Sequence, residues 1–112
     1  MDKVQIQQVV LNLIRNALEA MQGSDQPSVT IETDLDQDGF VLVSVLDAGP
    51  GIPDDVMVRL FQPFVTTKEG GMGIGLSICR SIIESHGGKI WAQANEPRGT
   101  KFTIRLPIGE AQ

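Results

Sequence analysis

Phe40-Val-Leu-Val-Ser-Val-Leu-Asp47-Ala-Gly49-Pro-Gly51 is an apolar run that ends abruptly on a carboxylate and a glycine-rich corner. Phe40 to Leu46 is apolar almost throughout, as expected of a central strand covered on both faces. At a period of two, Val41, Val43, Val45 and Asp47 share one face, so the carboxylate follows three core valines into the interior. An ionised carboxylate buried without a partner costs several kcal/mol, so something must hydrogen-bond to it. An exocyclic amine such as adenine N6 would do so, whereas guanine's carbonyl in that place would be repelled. Gly49 and Gly51 clear side chains from where a flat base must approach. Asp-x-Gly-Pro-Gly is also good turn chemistry in its own right, and the motif alone serves both readings.

Downstream, Pro53-Asp54-Asp55 starts a short helix with acidic groups at its N-terminus, carrying Val56, Val58 and Leu60, and Pro63 closes it. Thr66 to Met72 is polar and glycine-rich and reads as a mobile loop. A long helix then runs from about Gly73 to His86 with Ile74, Ile78, Cys79, Ile82 and Ile83 inward, and His86-Gly87-Gly88 ends it. Gly70, Gly71, Gly73 and Gly75 precede or open that helix, whose N-terminal amides form an anion site. No Gly-Lys-Ser/Thr follows, so this is not a P-loop. Leu76 stands where a dinucleotide fingerprint needs its third glycine. A flexible loop with a glycine-tolerant helix start is the bland alternative. Two strands follow, Lys89 to Ala94 and Thr100 to Leu106.

Upstream, Ile6, Val10, Leu13, Ile14, Ala17, Leu18 and Met21 mark one face of a helix that ends at Gly23. Gln8, Asn12, Asn16 and Glu19 lie on a second ridge. Asn12 and Asn16 are one turn apart, so their amides can converge on one ligand. Neutral oxygens with phosphate and water suit octahedral magnesium, and a solvated helix face is the alternative. Val29, Ile31 and Leu35 mark a strand that turns back at Asp36-Gln37-Asp38-Gly39. The order α-β-β-α-α-β-β predicts a two-layer α/β sandwich, a mixed sheet covered on one face by helices. Jointly, the three polar stretches read as a pocket for a magnesium–nucleotide complex.

The composition fits one domain of 112 residues, with a core that must be aliphatic because aromatics make up only 4%. A formal net charge of -5 with no basic run argues against a broad nucleic-acid surface. The single cysteine, Cys79, excludes an internal disulfide and reads as a small buried packing residue. One histidine and no Cys/His cluster leave zinc without ligands. No apolar run approaches ~20 residues and no signal peptide opens the chain, so a soluble, cytoplasmic domain without membrane contact is expected, although a larger protein carrying it could be membrane-anchored.

Four ordered tracts resemble the boxes of the Bergerat-fold (GHKL) superfamily, and above all the catalytic ATP-binding domain of bacterial sensor histidine kinases. Gln7-Gln8-Val-Val-Leu-Asn12-Leu-Ile-Arg-Asn16-Ala17 resembles the N box, and Asp47-Ala-Gly49-Pro-Gly51-Ile-Pro53 the G1 box. Phe61-Gln-Pro63-Phe64 resembles the F box, and Gly71-Met-Gly73-Ile-Gly75-Leu76 the G2 box. Arg98-Gly99-Thr100-Lys-Phe102 with Leu106-Pro107 is similar to the closing strand. Phe61 to Lys68 and Asn16 to Met21 look particularly like the oxygen-sensing nitrogen-fixation sensor kinases.

The resemblance covers nearly the whole of residues 1–112. It implies ATP and Mg2+ as ligands, with Asp47 on adenine N6 and Thr100 assisting. Asn16 would ligand magnesium, with Asn12 beside the phosphates or sharing the metal. Gly49 and Gly51 would flank the base, and Gly71, Gly73 and Gly75, with Leu76 beside them, would hinge a lid over the triphosphate. Thr66, Thr67 and Lys68 fall in that lid, and Lys68 is the best-placed cation for a terminal phosphate. Asn12 stands where hydrolysing relatives carry a glutamate, and an amide cannot take a proton from water, so intrinsic hydrolysis should be slow. The phosphoryl group is then kept for a histidine nucleophile on a separate helical dimerisation domain, and through it for a response regulator. His86, at a helix end, reads as structural. An anti-sigma-factor serine kinase and a non-catalytic nucleotide-responsive module are the alternatives. Glu19 replaces a basic residue common in the family, so phosphate neutralisation leans on Lys68, Arg15 or partner residues. The N-box helix starts almost at Met1, where the family normally places a strand first. The sheet is therefore expected to lack an N-terminal strand and to offer an unpaired edge to a second copy.

Overall fold

A computed structural model describes residues 3–23, 25, 27–57, 59–61, 72–95 and 98–107, with the backbone alone at 72–75. The order is α1 (Lys3–Ala20), β1 (Val29–Leu35), β2 (Phe40–Asp47), α2 (Asp54–Met57), α3 (Met72–Ser85), β3 (Lys89–Ala94) and β4 (Thr100–Pro107), the expected succession. The strands form one sheet in the order β1-β2-β4-β3, and every neighbouring pair is antiparallel. The expectation of a mixed sheet is corrected here. β2 and β3 do run the same way, but β4 lies between them and opposes both. Helix-connected strands thus become parallel in direction without becoming neighbours.

Helices α1 and α3 cover one face, where Val45 of β2 and Phe102, Ile104 and Leu106 of β4 meet Val9, Leu13, Ala17, Leu76, Cys79 and Ile83. Phe61 closes the end of this core edge-on to Phe102, the ring centroids 6.3 Å apart. The opposite face has no covering element among the described residues, so β2 is not enclosed on both sides as expected. There Ser44 and Thr103 bond hydroxyl to hydroxyl at 3.0 Å, in a groove of about 380 Å³ whose rim includes Leu42, Trp91 and Lys101.

Local signals account for the boundaries. Asp36 Oδ1 accepts from the N–H groups of Asp38 and Phe40 and tightens the β1–β2 turn, with Gly39 at φ 85°. Its Oδ2 receives Arg105 Nε at 2.7 Å, and the Arg105 guanidinium lies 3.7 Å over the Phe40 ring. Helix α3 ends in a Schellman motif: Gly88 N–H reaches the Ile83 carbonyl, Gly87 N–H the Glu84 carbonyl, and Gly87 sits at φ 80°. His86 Nδ1 lies 2.7 Å from the Ile82 carbonyl, which can only accept, so the ring donates and caps the helix. That is the structural role expected of it.

The apolar faces differ from expectation in one systematic way. Leu18 of α1 and Ile78 of α3, both expected inward, are exposed, whereas Asn16 and Leu76 are buried. Each helix packs on the sheet and on the other helix at once, so its buried arc is rotated towards that seam and takes in part of the ridge that periodicity assigns to solvent. On β1, an edge strand, Ile31 and Leu35 alternate onto the helix side and still remain exposed.

Candidate functional site

Asp47 is the last residue of β2 and only 4% exposed, as its alternation with Val41, Val43 and Val45 predicts. Its Oδ1 accepts the Gly49 N–H at 2.8 Å and the Thr100 N–H at 3.2 Å. The first is an Asx turn, so the turn chemistry of the motif is realised. The second ties the carboxylate to the start of β4. Among the described residues, no ion pair involves Asp47 and both hydrogen bonds to its carboxylate fall on Oδ1. Charge-assisted bonds of this kind contribute about 1.5–3 kcal/mol each, against a burial penalty of several kcal/mol. An ionised carboxylate has about four acceptor positions. Oδ2 thus keeps capacity for a donor from outside.

Asn16 lies on α1 one turn before Ala20, which abuts Gly49 of the Asp47 loop. It is 5% exposed, and its Nδ2 has no hydrogen-bond partner. A buried amide end left unpaired costs about 1–3 kcal/mol. Turning χ2 by half a rotation exchanges nitrogen for oxygen at the same place, so this position can offer a donor to a phosphate oxygen or Oδ1 to a metal. Among the described residues, no three His, Cys, Asp or Glu side chains gather as a metal site. Magnesium held mainly by phosphate oxygens and water, with one amide oxygen from the protein, fits that donor set.

Asn12 is placed differently. It lies half-buried at the α1–α3 seam and hydrogen-bonds the thiol of Cys79. Burial pushes that thiol up to about 11, with the Asn12 bond opposing the shift. Asn12 also lines a cavity of about 270 Å³ with Gln8, Arg15 and Ile78. The two asparagines therefore present distinct environments rather than one convergent pair. Cys79 is the buried packing residue expected.

The glycines separate by role. A Cβ at Gly49 would meet the Ala20 carbonyl at 3.1 Å and Asp47 Oδ1 at 3.2 Å, so its bareness serves the contact between α1 and the loop. Gly51 holds φ 87°. Gly73 and Gly75 lie in the first turn of α3. The Leu76 side chain, 0% exposed, belongs to the core, so any contact of this residue with a ligand would have to come from its backbone. Thr66, Thr67, Lys68 and Gly71 lie outside the described residues, as does most of the F box.

Three residues were missed by the sequence reading. Asn95 Nδ2 donates to the Asp47 carbonyl at 2.9 Å. Arg98 Nε donates to the Gly49 carbonyl at 3.1 Å. Gly99, at φ 109°, lies so close to the Asp47 carbonyl that a Cβ would overlap it. The one available signal was a glycine directly before Thr100, in a tract already noted for the closing strand. Beside this corner opens a cleft of about 740 Å³ lined by Ala20, Gln22, Gly49, Pro50, Asn95 and Arg98, among others.

Residues 1–110 match the model of the family described as histidine kinase-, DNA gyrase B-, and HSP90-like ATPase. The sensor protein FixL of Bradyrhizobium diazoefficiens is 50% identical over 109 residues, 97% of this chain and 22% of that protein. The sensor protein TdiS of Thauera aromatica is 45% identical, over 95% of this chain and 20% of that protein. The chain thus spans about a fifth of the length of these relatives. Among solved structures, the nucleotide-free catalytic domain of the histidine kinase ThkA superposes with a TM-score of 0.81 at 44% identity, over 95% of this chain and 68% of that one. Full-length ShkA, solved with AMPPNP, gives a TM-score of 0.79 at 29% identity, over 92% of this chain and 21% of that one.

Proposed function

Because the chain belongs to the histidine kinase-, DNA gyrase B-, and HSP90-like ATPase family, we propose that it binds Mg-ATP as the catalytic module of a two-component sensor histidine kinase. The observation that carries the reading is the pair of unspent polar groups at neighbouring element ends: Asp47 Oδ2 at the tip of β2 and the orphaned amide of Asn16 on α1. The likeness to ShkA, whose structure holds AMPPNP, supports the choice of an adenine nucleotide.

In this reading Asp47 Oδ2 accepts a hydrogen bond from the adenine N6 amino group and rejects guanine, whose carbonyl would face a carboxylate. Thr100 and Gly49 hold Oδ1 and so fix the direction of Oδ2. Asn16 would hold magnesium through its amide oxygen, and the ion would supply charge neutralisation for the triphosphate. Asn12, an amide where hydrolysis needs a carboxylate base, leaves water unactivated. Thr66, Thr67 and Lys68 are assigned to the lid, Lys68 to the terminal phosphate, and Gly71, Gly73 and Gly75 to its hinge beside the triphosphate. The γ-phosphoryl group passes to a histidine nitrogen on a helical dimerisation domain, and from there to a response regulator. The P–O bond to ADP breaks as the P–N bond forms, and positioning supplies most of the catalysis.

Titrating Mg-ATP and Mg-GTP against the wild type and Asp47→Asn tests the base assignment. Tight ATP binding by the wild type alone is expected, and equal binding by both proteins would refute it. Mixing the chain with a dimerisation domain from a related kinase should yield an acid-labile, base-stable phosphate on the partner.

A further inference from the structure

The β2–β4 ladder stops one residue short of the carboxylate. Its last register pair is Leu46 with Lys101, whereas β1 stays paired to Asp47 through Val29. On the β4 side, Asp47 has therefore left regular pairing, and its carbonyl lies beneath Gly99. The turn from β3 to β4 takes over. Asn95 Nδ2 bonds the Asp47 carbonyl at 2.9 Å, and Arg98 Nε bonds the Gly49 carbonyl at 3.1 Å. The Asn95 N–H reaches the Gly99 carbonyl at 3.0 Å and closes the turn on itself. Two side chains thus grip the carbonyls on either side of Ala48, and the backbone just after Arg98 supplies Thr100 N–H to Asp47 Oδ1.

Among the described residues, neither gripping side chain makes another hydrogen bond or an ion pair. Arg98 is exposed and Asn95 half-buried, and both line the cleft beside Gly49 and Pro50 instead of the apolar core. A carboxylate can select a base only if its free oxygen is aimed, and aim is set by the backbone that carries it. We infer that Asn95, Arg98 and Gly99 form a clamp that orients Asp47, with Asn95 the principal positioning residue for base selection and Arg98 its second latch. The inference rests on the proposed binding of adenine N6 by Asp47.

The test compares ATP with purine riboside triphosphate, which lacks the 6-amino group, and reads the ratio of their dissociation constants. A partly unfolded variant weakens both ligands by the same factor, so the ratio belongs to the folded molecules alone. Asn95→Ala should lower the wild-type preference for ATP by about two- to tenfold, the worth of one net hydrogen bond. Arg98→Ala should lower it in the same direction, and Asn95→Ser, which keeps a donor, should retain more of it than Asn95→Ala. Asp47→Asn is the reference. If it removes the preference while both clamp variants leave the ratio at the wild-type value, the clamp is merely structural and the inference falls, with the nucleotide reading intact. If Asp47→Asn itself leaves the ratio unchanged, the base assignment fails and takes the clamp with it.

Discussion

Asn16→Ala should make the nucleotide-free protein more stable while destroying the site. The wild type buries Asn16 to 5% exposure with Nδ2 unpaired, a cost of about 1–3 kcal/mol that alanine removes. Alanine also gains about 0.5 kcal/mol of helix propensity in α1. Against this stands the void left by a small amide, about 1 kcal/mol at most by the scaling of cavity cost with volume. The net is a gain of about 0.5–2.5 kcal/mol. At roughly 2 cal/mol/K of unfolding entropy per residue, that raises Tm by about 2–11 °C. Scanning calorimetry with and without Mg-ATP reads both halves of the argument. At a ligand concentration of 100 Kd the wild type gains about 2.7 kcal/mol, whereas Asn16→Ala should gain almost nothing, so the order of the two melting temperatures reverses on adding nucleotide. A lower Tm for Asn16→Ala in the absence of nucleotide would mean that the amide is already satisfied, and the argument from its orphaned state would be refuted.

Other outcomes follow from the same geometry. Gly99→Ala must place a Cβ on the Asp47 carbonyl at φ 109°, and left-handed strain plus overlap should cost about 2–5 kcal/mol in urea unfolding; a loss below about 0.5 kcal/mol would contradict the packing described. The Arg105 hydrogen bond holds the Asp36 carboxyl below its ordinary value of 3.8. Its contribution is therefore fully present above that value and lost as pH falls through the lower folded-state value. Asp36→Asn should be less stable than wild type at neutral pH, and the gap should close on acidification below 3.8; a gap constant with pH argues against the ion pair. β1 is an edge strand with Ile31 and Leu35 exposed, so dilution in sizing columns should reveal a dimer that Ile31→Lys abolishes. A wild type monomeric at every concentration would remove that proposal.

Much of this arrangement was legible because it is local. Alternation along β2 put Asp47 inside, and His86-Gly87-Gly88 announced the end of α3 in the residues that perform the capping. Asn16 was legible as a candidate site residue but not as a buried one, since burial on α1 depends on α3, more than fifty residues away, packing against it. The burial of the Leu76 side chain was hidden for the matching reason: a glycine-rich context pointed to a ligand, while the packed core holds the side chain. The antiparallel sheet and the roles of Asn95, Arg98 and Gly99 were hidden because they require the register of β2 against β4. No periodicity within either strand encodes which residue of one faces which residue of the other.

The position of β4 has a consequence for how the molecule comes into being. The inner strand that bridges β2 and β3 is the last of the four to leave the ribosome, so those two cannot be joined until translation has passed residue 107. A nascent chain stalled before Thr100 holds three helices, the β1–β2 hairpin and an unpaired β3, with no backbone amide from β4 for Asp47. Assembly and competence to take a ligand should therefore arrive together, late and in a single step, and shortened chains that end before β4 should be prey for proteases instead of weaker versions of the whole.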